Sequence, residues 1–308
     1  MFVVCGEALM DVFASGETPS GLALDARIGG SPFNVAIGLA RMGQPVGFFG
    51  GLSTDFLGDR LRQALAAEGV DPRTQHTTSA RTTVSLVGVD AQGVPSYAFY
   101  GEGSADRDVP PSALARVPPE ARAFHFGSFA MVVDPVAATQ RALIEREHTR
   151  SLISYDPNVR LNVEPSVDAW RETLAWMLPR THLLKVSDED LRLLYPDTDP
   201  ATLAAEWLAC GVALVVVTRG GDGALAWTAA HAVSAPAVPT RLVDTVGAGD
   251  TFQCALLTWL AEHDALSAEA LRALPKASLE SAVAFAGRAA AITCSRRGAD
   301  LPRRSELA

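Results

Sequence analysis

The chain has 308 residues, 48% of them hydrophobic and 20% charged, which suits a globular protein with a large core, built as one domain or as one domain with a small appendage. Its net charge of −9 argues against nucleic acid or an anionic membrane as a main partner, and its only lysines are Lys185 and Lys276. Four scattered cysteines (Cys5, Cys210, Cys254, Cys294), no signal-peptide pattern and no apolar run of about 18 residues predict a soluble cytoplasmic protein with free thiols.

Phe2–Gly6 reads as a buried strand, followed by Glu7–Asp11 and a Gly/Ser/Pro-rich excursion over Ser15–Gly21. Leu22–Ile28 predicts a strand ending at Gly29-Gly30. Asn34 then opens a helix over Val35–Met42 that Gly43 closes. Val46–Leu52 reads as a strand and Asp55–Glu68 as an amphipathic helix. Arg81–Val89 and Ser96–Tyr100 alternate about the turn Asp90-Ala91-Gln92-Gly93, which predicts a hairpin. With Val12–Ala14 and Leu22–Ile28 it would form a small separate sheet.

From Ala121 strands and helices alternate. Strands are expected at Ala123–Phe126, Leu152–Tyr155, His182–Val186 and Leu214–Thr218. Helices are expected at Pro135–His148, Val167–Leu178, Asp188–Tyr195 and Thr202–Cys210. Gly223–Trp227 and His231–Ser234 suggest a late hairpin, Ala232–Val243 an apolar approach, and Ala268–Leu274 and Leu279–Cys294 two closing helices. The expected fold is a three-layer α/β/α unit with a mostly parallel sheet, spanning 1–308, with a β lid drawn from about 12–28 and 81–106. Ligands of such sheets bind beyond the carboxyl ends of the strands. Asp11, Gly29, Gly30, Asp156, Arg160, Lys185, Thr218 and the turn at 247–250 all follow strand ends.

The last of these carries the chemistry. Gly247-Ala248-Gly249 opens onto a helical pattern led by Phe252, Ala255, Leu256, Trp259 and Leu260. Unpaired amides and the dipole at a helix start attract an anion, and small residues let it approach the backbone. Asp250, one residue on, would repel that anion unless it faces a hydroxyl while the amides hold a phosphoryl group in flight. The alternative is an ordinary Asp in a first helical turn.

Asp244-Thr245-Val246-Gly247-Ala248-Gly249-Asp250-Thr251-Phe252 resembles the C-terminal signature of the ribokinase-like (PfkB) carbohydrate kinase family, and Gly29-Gly30-Ser31-Pro32-Phe33-Asn34-Val35-Ala36 resembles its N-terminal one. The resemblance covers the whole chain and is nearest to bacterial fructokinases. It implies a ribokinase-like fold, ATP and magnesium as cofactors, and Asp250 as the catalytic base beside an anion hole at 247–249. It implies sugar binding by Asp11 and Asn34, with Gly29 and Gly30 giving close backbone approach. Asp156-Pro157-Asn158-Val159-Arg160 is similar to segments of fructokinases and 2-keto-3-deoxygluconate kinases, in which the Arg faces the cleft. Where the family has Asn-x-x-Glu, this chain has Ser187 and Asp190 after Lys185, implying a role for Asp190 toward magnesium through water.

The loop Thr218–Gly223, with Gly220 and Gly223, would lie on the ATP side, with Ala284, Ala286 and Gly287 near the base. Some members bind a monovalent cation, potassium, beside the anion hole, largely through backbone carbonyls; of the candidates Asp244, Val246, Thr293 and Gly298, Asp244 matches and Gly298-Ala299 fits, whereas Pro302 stands where the family has Ser. On the lid, Phe99 and Tyr100 either cover the sugar or pack the small sheet, and Ser104 and Asp106 could reach hydroxyls. Gly101 stands where relatives often carry Arg. A lid-mediated homodimer is expected. The sequence has no P-loop, no HExxH and no GxSxG. The function implied is ATP-dependent phosphorylation of a primary hydroxyl of a small sugar, D-fructose first and 2-keto-3-deoxygluconate as the alternative. A non-catalytic sugar-binding protein on the same fold is the reading from a different class.

Overall fold

A computed structural model describes residues 1–89 and 95–307; the turn expected at 90–93 lies outside the described residues. The chain opens with β1 (Phe2–Cys5), buried on both faces, as a central parallel strand requires. β2 (Leu9–Thr18) and β3 (Gly21–Gly29) pair as an antiparallel hairpin. The excursion expected over Ser15–Gly21 is therefore mostly strand, and only Pro19 and Ser20 turn. Ala14–Thr18 are exposed, so ladder hydrogen bonds hold this arm without the apolar alternation that marks a strand in sequence.

α1 (Ser31–Arg41) starts ahead of the expected Asn34, with Gly30 at the N-cap position and Pro32 in the first turn. Pro is accommodated there because a first-turn amide has no intrahelical partner to lose. Asn34 is thereby released from capping. The strand expected over Val46–Leu52 divides at Gly50 into β4 (Val46–Phe49) and β5 (Gly51–Ser53). Asp55 caps α2 (Phe56–Ala67), accepting from Gly58 N at 2.7 Å. β6 (His76–Thr78) pairs in parallel with β5. β7 (Thr83–Val89) and β8 (Pro95–Tyr100) form the expected hairpin.

Alternation follows closely as expected: β9 (Ala123–Gly127), α3 (Val136–Glu147), β10 (Leu152–Asp156), α4 (Val167–Met177), β11 (Leu183–Ser187), α5 (Asp188–Leu194), α6 (Pro200–Ala209), β12 (Leu214–Thr218). β13 (Ala224–Trp227) and β14 (Ala232–Ala235) form the late hairpin. The chain then leaves the sheet earlier than the apolar run to Val243 suggested, and Leu242, Val243 and Val246 are exposed. α7 (Ala248–Glu262), α8 (Ala268–Arg272) and α9 (Lys276–Cys294) complete the fold.

The main sheet runs β14-β13-β12-β11-β10-β9-β1-β4, parallel from β12 to β4 and antiparallel at the β13–β14 edge. Side chains alternate between two cores. Phe2, Val4, Leu183 and Val216 face α1, α7 and α9, while Val3, Cys5, Leu184 and Val217 face α3, α4 and α6. Three layers result. β3-β2-β7-β8 form a separate mixed sheet, in which β2 and β7 are parallel. Among the described residues no helix is long and apolar enough to cross a membrane.

Candidate active site

α7 has an unbroken buried run from Thr251 to Leu260, so its N-terminus is held firmly at the carboxyl ends of the strands. Gln253 Nε2 fastens it to β10 by donating to Ser154 Oγ at 2.8 Å, and His125 Nδ1 on β9 lies 3.1 Å from the same hydroxyl. The helix starts at Gly247, whose φ of 78° is left-handed and whose missing Cβ would lie 2.9 Å from Ala299 Cα. Only glycine fits both demands. Of the three amides expected at the turn, Ala248 N already donates to Thr245 O at 3.2 Å. Among the described residues Gly247 N and Gly249 N meet no protein acceptor, so the turn offers two free amides.

Beneath it lies Lys185, at the centre of β11 and buried. Its Nζ would be 3.2 Å from a Cβ added at Gly249. It pairs with the buried Asp156 at the end of β10, Nζ to Oδ2, at 2.6 Å. Burial works against the Lys185 charge, but Asp156, with Asp250 and Asp190 behind it, outweighs burial and raises its pKa. Burial raises Asp156, Lys185 pulls it back and Asp190 and Asp250 push it up again, which leaves it at about 6. With Lys185 raised and Asp156 at about 6, the pair is ionised at neutral pH. An ammonium at a helix N-terminus opposes the dipole. The ammonium and the free amides can both face an anion, while Asp156, Asp190 and Asp250 offset much of the lysine's charge. Asp156 Oδ1 is buried without a partner.

Asp250 sits in the first turn of α7, half-buried and turned toward α1. Asn34 Nδ2 donates to its Oδ2 at 2.8 Å, and Ser31 Oγ donates to its Oδ1 at 2.6 Å. Both signatures therefore meet in one carboxylate. Asn34, expected on the sugar and as a helix start, lies one turn inside α1 with its Nδ2 on Asp250.

Asp11 stands on β2 opposite Ser85, which hydrogen-bonds its carboxyl, and a Cβ at Gly29 would overlap Asp11 Oδ2. Gly29 is thus the space into which Asp11 folds. Burial raises the Asp11 pKa, with Ser85 and the charge of Arg160 pulling it back. Gly30, at φ 106°, brings its backbone against Glu7, where an added Cβ would come within 2.7 Å of Glu7 O. Arg160 is exposed, bonds its own Val159 carbonyl at 2.9 Å, and projects its charge on both Asp11 and Glu7.

Phe99 is half-buried and packs edge-on against Phe129, ring centroids 5.4 Å apart. A Cβ at Gly101 would overlap its ring, so the glycine lets Phe99 lie down. Ser104 and Asp106, expected to reach toward hydroxyls, are buried with Thr83 in a hydrogen-bonded cluster at the lid base. Asp106 Oδ2 and Glu7 Oε2 are both buried there without partners.

On the far side Thr218 ends β12, half-buried, and Gly220 opens the turn after it with free space at its Cα. Gly223 is different: at φ 83° its Cα is packed against Ala235 to Ala237, so its freedom serves the β13–β14 corner. Ala284 and Gly287 lie one turn apart and half-buried on α9. Ser187 and Asp190 make a reciprocal helix cap, and Asp190 Oδ1 also accepts from Val159 N at 2.9 Å. Asp244 braces two segments, Oδ1 accepting from Val246 N and Oδ2 from Gly298 N at 2.8 Å. Burial opposes its charge, but amide hydrogen bonds from Gly298, Val246 and Thr245 hold its carboxyl below the ordinary value. Ser31, the Lys185–Asp156 pair and the Glu7 cluster were not foreseen. The signal for Lys185 was its rarity; it was expected to follow a strand end but lies mid-strand in β11, and Ser31 was marked only by its place in the first glycine signature.

The pfkB family carbohydrate kinase model matches residues 1–306. A fructokinase of Rhizobium leguminosarum bv. trifolii is 34% identical over 279 residues, covering 91% of this chain and 85% of its own. The crystal structure of a fructokinase with bound ATP from Xylella fastidiosa superposes with a TM-score of 0.88 at 26% identity, covering 99% of this chain and 96% of that one. A double mutant of fructokinase from Vibrio cholerae O395, with fructose, ADP and potassium bound, does so with a TM-score of 0.83 at 26% identity, covering 99% and 96%.

Proposed function

The chain belongs to the pfkB family of carbohydrate kinases, and from that premise we propose that it transfers the γ-phosphate of ATP to a primary hydroxyl of D-fructose. The observation that carries this reading is the placement of Asp250 one residue beyond a glycine turn with free amides, above a buried lysine. Asp250 accepts the proton of the attacking hydroxyl. The amides of Gly247 and Gly249, the Ala248 amide once its 3.2 Å bond yields, and Lys185 stabilise the charge on the phosphoryl group.

Asp11, the backbone at Gly29 and Gly30, Asn34 and Arg160 surround the sugar, and Phe99 backs it from the lid. Closure of the lid would exclude water, the competing acceptor. Thr218, Gly220 and Gly223 with Ala284 and Gly287 border the nucleotide. The whole chain, 1–308, then acts as one kinase unit.

The residues present fit magnesium held through its water shell, which needs only one or two carboxylates besides the phosphates. Asp156 Oδ1 is free for such a role, and Asp190 supports it from its capping position. When bound, magnesium would neutralise the β- and γ-phosphate oxygens. Asp244 orders the loop beside Gly298, as a potassium site built from backbone carbonyls would need. Four free thiols fit a reducing cytoplasm. The exposed leucines of β3, Leu22 and Leu24, supply a face for a second copy.

The exposed Arg160 favours a second substrate, 2-keto-3-deoxygluconate, since its guanidinium would suit a carboxylate. ADP formation with magnesium should be compared for D-fructose, 2-keto-3-deoxygluconate, ribose and adenosine, in sodium, potassium and tetramethylammonium buffers. The expected result is preference for fructose, faster in potassium. Preference for the keto acid would reassign the substrate, equal rates in the three buffers would remove the cation, and binding without turnover would make the chain a sugar-binding protein. Asp250→Asn should lower kcat by roughly a hundredfold or more.

A further inference from the structure

Each oxygen of the Asp250 carboxylate already accepts one hydrogen bond from α1, but the two donors differ in kind. Asn34 is an amide one turn into the helix, and its planar group presents Nδ2 to Oδ2 in a fixed direction. Ser31 is the first residue of the helix. Its hydroxyl turns about a single bond and is free of capping duty. It lies 2.6 Å from Oδ1, the separation at which an acceptor hydroxyl must lie from its general base. The residue is an alcohol in contact with the base, beside the turn that offers the free amides.

Resting on the kinase reading above, we infer that Oδ1 is the proton-accepting oxygen of Asp250 and that Ser31 is a positioning residue which occupies Oδ1 until the sugar hydroxyl replaces it. Asn34 stays on Oδ2 throughout and fixes the plane of the carboxylate. Sugar entry rotates Ser31 away, which costs one hydrogen bond and restores an equivalent one from the substrate. Water can form that bond too, but it lacks the contacts to Asp11, Gly30 and Arg160 that would drive the exchange. Ser31 thereby biases the base against activating water, and the enzyme's coupling of ATP cleavage to sugar phosphorylation depends on it. The step it prevents balances as hydrolysis: a water oxygen bonds to the γ-phosphorus, the bond to the β–γ bridging oxygen breaks, ADP leaves, and the water proton goes to Oδ1.

The test compares wild type, Ser31→Ala and Ser31→Thr with MgATP, reading ADP released without sugar against sugar phosphate formed with it. Wild type must first show sugar-dependent ADP release; if it does not, the kinase reading itself fails. Given that, Ser31→Ala should raise the ratio of uncoupled to coupled turnover about tenfold, the scale of one lost hydrogen bond to a charged group. Ser31→Thr, which keeps the hydroxyl, should restore the wild-type ratio. A general loss of packing would lower both rates together and leave the ratio unchanged. An unchanged ratio in Ser31→Ala, or failure of Thr to restore it, overturns the inference.

Discussion

Asp11 and Gly29 show how a single missing atom can set the direction of a side chain. The carboxylate occupies the space a side chain at 29 would fill, so the glycine makes room for Asp11. In Gly29→Ala the Asp11 side chain, which is free to rotate, must swing off its bond with Ser85. Folding should survive, because the overlap is with the end of a flexible group. KM for the sugar should rise about tenfold or more, as expected from a displaced charged hydrogen bond, with KM for ATP unchanged. Equal rises in both constants would show that Asp11 does not act on the sugar side. The sequence contained the glycine pair and the aspartate, but the geometry that couples them exists only once β2 and β3 pair.

The lid meets the main sheet at the ends of β1 and β9, where Glu7 and Ser128 face Asp106 of the segment after β8. Burial raises Glu7, hydrogen bonds from the backbone and Ser128 together with Arg160 pull it down, and Asp106 adds to the rise, which leaves it at about 8. Burial likewise raises Asp106 against its bonds from Ser104 and Thr83. Glu7 is thus neutral in the folded protein at pH values where the unfolded chain ionises it. Its contribution to stability is complete below about 4.5 and is lost progressively as the pH rises to about 8. Glu7→Gln keeps the hydrogen-bonding shape and removes the titration. The variant's Tm should match wild type near pH 4.5 and exceed it by ~5 °C at pH 8.5. Thermal unfolding across that range would show a constant difference if Glu7 does not titrate there. Sequence reading passed over Glu7 because its meaning depends on burial between two sheets.

At the scale of the whole molecule, the four-stranded sheet packs on the main core through Met10 and Val12 and has β3 and β8 as its edges. Leu22 and Leu24 of β3 are 63% and 55% exposed, an apolar pair on an edge strand that a second copy would cover. Light scattering after gel filtration should give about twice the 32.5 kDa chain mass, and Leu22→Asp with Leu24→Asp should return it to one chain. A monomeric wild type would dismiss the dimer.

Taken by itself, the sequence determined the order of strands and helices from Leu152 to Trp227 and the two glycine turns, and it singled out Asp250 as the carboxylate beside the second of them. These follow from hydrophobic periodicity and local backbone demands, which operate over a few residues. Where local pattern was weak, as in the exposed arm Ala14–Thr18, or ambiguous, as at Pro32, boundaries moved. Partner choice was decided only by the tertiary structure. Ser31 and Asp250 lie 219 positions apart, and Lys185 and Asp156 lie 29 apart. Packing of α1 on α7 brings the first pair together and the pairing of β10 with β11 the second, where burial then raises Asp156. No spacing within one segment encodes that, because desolvation and hydrogen bonding between strand ends depend on which strands are neighbours.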